Sequence, residues 1–111
     1  MESEDLKTTA ELITHDFEMP EPAEDLVSEA QLLEMLSERI ADLIEHRMEF
    51  LLSLMYRLDV NERKVHAALS PLAPEPPHIG IARLVVERQK QRAFTKRYYQ
   101  QQPLDDEMEE W

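Results

Sequence analysis

The chain has no cysteine among its 111 residues, which excludes a disulfide, a thiol nucleophile and a cysteine zinc site. Glycine occurs once, at Gly80. A β-rich fold needs glycine in its tight hairpins and a phosphate-cradling loop needs several, so both are excluded. No uninterrupted apolar run approaches the ~20 residues of a membrane span. The opening residues Met1-Glu2-Ser3-Glu4-Asp5 lack the basic region and apolar run of a signal peptide. A cytoplasmic protein without a membrane partner is the expectation. No Ser-His-Asp order with a strained elbow occurs, so no catalytic residue and no cofactor site is assigned, and the chain reads as a non-enzyme.

Basic residues are also scarce, and unevenly so. Residues 1–37 hold eleven acids and one base, Lys7, while residues 103–111 hold five acids and no base. Residues 38–102 hold eight acids and eleven bases, so the three segments carry −10, −5 and +3 of the formal −12. A near-neutral core is flanked by two acidic arms. Net acidity opposes whole-molecule attraction to nucleic acid or anionic lipid.

What is plentiful is Leu, Glu, Arg, Gln, Met and Ala, the composition of an all-α chain. Three units are expected: a flexible acidic arm over 1–27, a helical domain over 28–102 and an acidic tail over 103–111. Met19-Pro20-Glu21-Pro22 excludes a helix at that point, and the arm's charge favours disorder. Its patch Leu12, Ile13, Phe17 and Met19 is more apolar than a solvated tail needs.

Ser28 through Gln31 fit a capping box, with Ser28 as N-cap. A stripe Leu33, Leu36, Ile40, Ile44, Met48, Leu51, Met55, Leu58 follows at spacings of 3 and 4. It predicts either one helix over 28–58, about 45 Å long, or two helices broken near Ser37 or His46. Asp59 with Glu62, or Asn61 alone, caps a short helix over about 60–69 whose Val65, Ala68 and Leu69 point inward. Pro71, Pro74, Pro76 and Pro77 enforce an extended loop, and Pro77 suits the first turn of a last helix running to about 101. The expected architecture is a helical hairpin or small bundle of three to four helices with disordered acidic termini.

Four features carry candidate function. Phe50-Leu51-Leu52-Ser53-Leu54-Met55-Tyr56 is apolar nearly all round, and such a helix is buried on more than one side. A domain this small buries only roughly 60% of its unfolded surface. Phe50, Leu51, Leu52, Leu54 and Met55 are therefore the expected self-association residues of a homodimer or of a site for another protein. The stretch 88–99 interleaves Arg88, Lys90, Arg92, Lys96 and Arg97 with Phe94, Tyr98 and Tyr99. Stacking aromatics with phosphate-holding cations suit nucleic acid, and Arg88, Arg92, Lys96, Arg97 and Tyr98 are the residues for that alternative, gated by the acidic arms. The cations equally suit a helix C-terminus, and Phe94 and Tyr98 equally suit a core. The row Glu34, Glu38, Asp42, Glu45, Glu49 occupies one helix face. Asp42, His46 and Glu49 lie within reach of one another, but no Glu-x-x-His motif runs through this row, so a solvated face is the expectation and no metal is assigned. The last feature, Asp105 through Trp111, reads as a solubilising tail or a docking peptide.

Three segments bear a family resemblance. They are Glu38-Arg39-Ile40-Ala41-x-Leu43-Ile44, then Leu54-Met55-Tyr56-Arg57-Leu58-Asp59-Val60 followed by Glu62 and Lys64-Val65, and Ala82-Arg83-Leu84-Val85-Val86-Glu87-Arg88-Gln89. Together they resemble a family of small bacterial helical proteins to which no activity is attached. The resemblance covers about 38–97 and neither acidic arm. It implies a bacterial, cytoplasmic, helical protein and carries over no catalytic residue. Within it, Arg57 and Asp59 read as a local pair with Tyr56 ordering the bend.

Overall fold

A computed structural model describes residues 3–19 and 28–101 of the chain. Among the described residues the protein is all-α, with five helices and no strand: α1 Ser3–Asp16, α2 Glu29–His46, α3 Met48–Arg57, α4 Glu62–Leu69 and α5 Pro77–Gln101. The expected three or four helices become five because a helix stands where a flexible arm was read. The stretch 20–27 and the acidic tail 103–111 lie outside the described residues.

The reason for α1 is a buried row that the charge of the segment concealed. Leu6, Ala10, Ile13 and Phe17 recur at spacings of 4, 3 and 4, and all four are buried, Ile13 and Phe17 completely. That is one face of a helix, and it packs chiefly on α5. The acids Glu11 and Glu18 remain exposed.

Helix α2 starts as its sequence implies, with the Ser28 Oγ accepting from the Gln31 N–H at 3.2 Å. Its fully buried residues are Leu32, Leu36, Ile40 and Leu43, with Leu33 and Ile44 only half-buried. The core face is thus turned about one position from the expected stripe. The break near His46 is real: Arg47 leaves helical geometry at φ −145°, ψ 57°. Neither glycine nor proline causes it. The ladder is nearly unbroken, because the Arg47 N–H donates to Leu43 O at 2.7 Å and Arg47 O accepts from Leu51 N–H at 3.1 Å. The kink redirects α3 so that Leu51, Leu54 and Met55 face the core.

Two helices end in the left-handed conformation without glycine. Glu18 has φ 55° and Asp59 has φ 61°. In each case the two closing bonds of a Schellman motif form: Met19 N–H to Thr14 O and Glu18 N–H to His15 O for α1, Val60 N–H to Met55 O and Asp59 N–H to Tyr56 O for α3. The following Met19 and Val60 pack against the core, supplying the apolar contact the motif uses. A neighbouring arginine then takes the remaining end carbonyl. Arg39 Nε donates to Phe17 O at 3.0 Å, and Arg88 Nε donates to Leu58 O at 3.0 Å.

Helix α4 is capped by Asn61, whose Oδ1 accepts from the Lys64 N–H at 3.1 Å, so Asn61 and not Asp59 is the N-cap. After the proline loop, α5 begins at Pro77. Helices α1, α2 and α4 all pack on α5, whose Ile81, Ala82, Val85, Val86, Gln89 and Ala93 are buried. Gly80 sits where a Cβ would come 3.2 Å from Ala68 Cβ, so its bare backbone lets α4 approach α5.

Phe17→Ala should lower unfolding stability by about 3–5 kcal/mol, the usual result of emptying a buried phenylalanine site. Urea unfolding followed by circular dichroism measures it. A change near zero would mean that α1 does not pack on the core.

Candidate interaction surface

The residues expected to associate divide into two groups. Leu51, Leu54 and Met55 are 0%, 1% and 3% exposed, so they belong to the chain's own core and are not available to a partner. Phe50 is half-buried, and the Arg47 guanidinium lies 4.2 Å from its ring centre. Leu52 is 42% exposed and Tyr56, one turn further, is 88% exposed. The apolar girdle is therefore explained on one side by α2 and α4, and left open along the line Leu52–Tyr56.

That line borders a groove. Between α3 and α4 lies an open hollow of about 630 Å³. Leu52 and Tyr56 form one wall, and the buried Met55 and Val65 lie beneath. Arg57, Asp59, Glu62 and His66 supply its polar rim. The left-handed Asp59 makes this geometry, because it turns the chain sharply enough to set α4 beside α3. Asp59 does not pair with Arg57 as its spacing suggests: its carboxylate lies 3.7 Å from the Arg88 guanidinium. Tyr56 enters the bend through its carbonyl, which accepts from Asp59 N–H at 3.1 Å, while its side chain stands almost fully in solvent.

The basic stretch of α5 is partly consumed inside the molecule. Arg88 holds the end of α3 through Leu58 O, and Lys90 pairs with Glu29 at 3.3 Å and Glu87 at 3.7 Å. Gln89, fully buried, donates to Asp16 Oδ2 at 2.8 Å and accepts from Arg92 at 3.3 Å. Arg92, Phe94 and Lys96 are exposed. Arg97 and Tyr98 lie on the α5 backbone, and their side chains are outside the described residues. The nucleic-acid alternative thus loses Arg88 to an internal structural role.

The acidic row Glu34, Glu38, Asp42, Glu45 and Glu49 is exposed along its whole length, on the side of α2 and α3 away from the core. Helix α5 packs on the other side of α2, so the row does not receive the basic helix of its own chain. Asp42 lies 3.4 Å from Arg39 and 3.8 Å from His46. Among the described residues, no three His, Cys, Asp or Glu side chains gather closely enough to hold a metal ion. No helix among the described residues is long and apolar enough to cross a membrane.

No family model, curated protein or solved structure matches this chain.

The sequence pattern missed Tyr56 and Val65 as members of one surface. The signal available was Leu52 and Tyr56 at i, i+4, but within an all-apolar run nothing distinguishes the open face from the buried one. Arg88→Gln should lower stability by roughly 1.5 kcal/mol through loss of a charged hydrogen bond, whereas Lys96→Gln on the exposed face should change it by less than about 0.5 kcal/mol. Equal effects in parallel urea titrations would contradict the structural role given to Arg88.

Proposed function

We propose that this protein is a non-enzymatic helical interaction module that self-associates. The observation that carries the reading is the uncovered line Leu52–Tyr56 beside an apolar-floored groove. Large apolar side chains stand singly on most protein surfaces and need no explanation. Two at helical spacing, at the edge of a hollow lined by Met55 and Val65, are what supports a protein contact here. Both ends of α3 are tied to other elements, Arg47 lying 3.7 Å from Glu18 at one and Arg88 holding Leu58 O at the other.

The nucleic-acid alternative has less to stand on. Its remaining exposed groups, Arg92, Phe94 and Lys96, sit in a chain of net charge −12. That net charge opposes phosphate, so binding at physiological salt should be weak.

Sedimentation equilibrium across micromolar concentrations tests the reading. A reversible monomer–dimer equilibrium is the expected outcome. A single monomeric species throughout that range would contradict it.

A further inference from the structure

The cations of α5 and the acids that follow it are strictly segregated. Residues 88–101 hold five bases and no acid, and residues 102–111 hold five acids and no base. Arg88, Arg92 and Lys96 recur at every fourth residue, so they share one flank of α5. Arg92 and Lys96 are exposed and Arg88 is half-buried. Lys90 falls on the opposite flank, where it meets Glu29 at the start of α2. The Arg88 flank faces α4 instead. There Arg88 lines a hollow of about 180 Å³ between α5 and the start of α4, and Val60 and Leu84 supply its large apolar groups. Lys64 and Arg88 stand on its rim against Asp59 and Glu87, so the rim is neutral and favours an uncharged occupant. The hollow is well below the roughly 300–1,000 Å³ of a small-molecule pocket, and its scale is that of one large side chain.

Length and spacing identify that side chain. Helix α5 is described to Gln101, and Pro103 cannot continue it. Gln101 lies about 7.5 Å beyond Lys96 along the axis. Extended chain from 101 to 105 reaches roughly 13 Å, enough to turn back alongside the helix. In such a returning segment Asp105, Glu107, Glu109 and Trp111 share one face at intervals of about 6.6 Å. Positions four apart on a helix are separated by about 6 Å. The two periods nearly match. With Asp105 opposite Lys96, Glu107 falls opposite Arg92 and Glu109 opposite Arg88. Trp111 then falls opposite Leu84, at the hollow. Arg88 and Arg92 each have several N–H donors, so those given to Leu58 O and Gln89 leave others for a carboxylate.

We infer that residues 105–111 lie antiparallel along this flank of α5 as an intramolecular ligand, with Asp105, Glu107 and Glu109 on Lys96, Arg92 and Arg88 and the Trp111 indole in the α4–α5 hollow. This contact is separate from the self-association proposed above. It makes the basic flank conditional, because another anion reaches Arg92 and Lys96 only by displacing the tail.

Trp111 is the chain's single tryptophan, so its fluorescence tests the contact in the full chain. Against a free peptide of residues 102–111, the full chain at low salt should show blue-shifted emission and slower acrylamide quenching, both independent of protein concentration. Both should revert towards the peptide in about 1 M NaCl, where the screening length is about 3 Å. Lys96→Glu and Asp105→Lys should each lose the shift, and the double variant should regain it. Phe94→Ser, on the opposite flank, should leave it unchanged. Asp105→Lys lies outside the core, so it should unfold at the wild-type urea midpoint, which separates lost docking from lost fold. Nuclear Overhauser contacts are expected from the indole to the methyl groups of Val60 and Leu84.

Emission equal to that of the free peptide at low salt would overturn the inference. A protected Trp111 that ignores both Lys96→Glu and Asp105→Lys, or that contacts other methyl groups only, would place the tail elsewhere and equally overturn it. A shift that grows with protein concentration would assign the tail to a second copy and overturn the intramolecular contact.

Discussion

The fold depends on the burial of one helix. Among the described residues α5 receives α1, α2 and α4, and its Ile81, Ala82, Val85, Val86, Gln89 and Ala93 are all enclosed. A chain this short has little apolar surface to spend on more than one core layer. Placing a long helix at the centre lets each of the other elements bury a single face against it. The small residues Gly80, Ala82 and Ala93 allow the close approach, and Gly80 does so most directly, opposite Ala68. Helix α3 packs on α2 and α4, and this is why one of its sides remains open.

Around that apolar arrangement, a few polar contacts fix where the helices end. Arg39 and Arg88 perform the same task at two places: each reaches from one helix to the last free carbonyl of another. Near-terminal cations also complement the negative end of the helix dipole. At the end of α1 the contacts converge, with Gln89 on Asp16, Arg39 on Phe17 O and Arg47 within 3.7 Å of Glu18. Guanidinium groups suit this work because their fixed fork holds direction as well as charge. The two left-handed caps are tolerated by Glu18 and Asp59 because the apolar residues after them, Met19 and Val60, are held in the core.

Much of this was legible in the residues. The all-α class, the Ser28 cap, the inward Val65 and the start of α5 at Pro77 follow from spacing and capping chemistry, whereas the spacing leaves open one helix or a break near Ser37 or His46, and only the backbone at Arg47 decides it. Helix α1 was hidden for a physical reason. Its apolar row is interrupted by Thr9 and Thr14, both buried, and surrounded by acids, so its periodicity is weak and its charge resembles a disordered tail. Its stability is tertiary, supplied by α5, and tertiary support is invisible to local pattern. The same limit applies to the surface. Within Phe50 to Tyr56 the sequence supplies apolar groups all round, and only packing decides that Leu51, Leu54 and Met55 turn inward while Leu52 and Tyr56 face out. Arg88, which reads as a phosphate-binding cation in a basic stretch, is a structural clamp because Leu58 O lies beside it.

Helices α1 and α5 pack together as one core beside which the open α3–α4 corner is displayed. Native-state hydrogen exchange measures this directly, element by element. The slowest exchange is expected over residues 81–93, with 6–17 protected by a comparable opening free energy. Exchange of 6–17 at the rate of a free peptide, beside a protected α5, would contradict it.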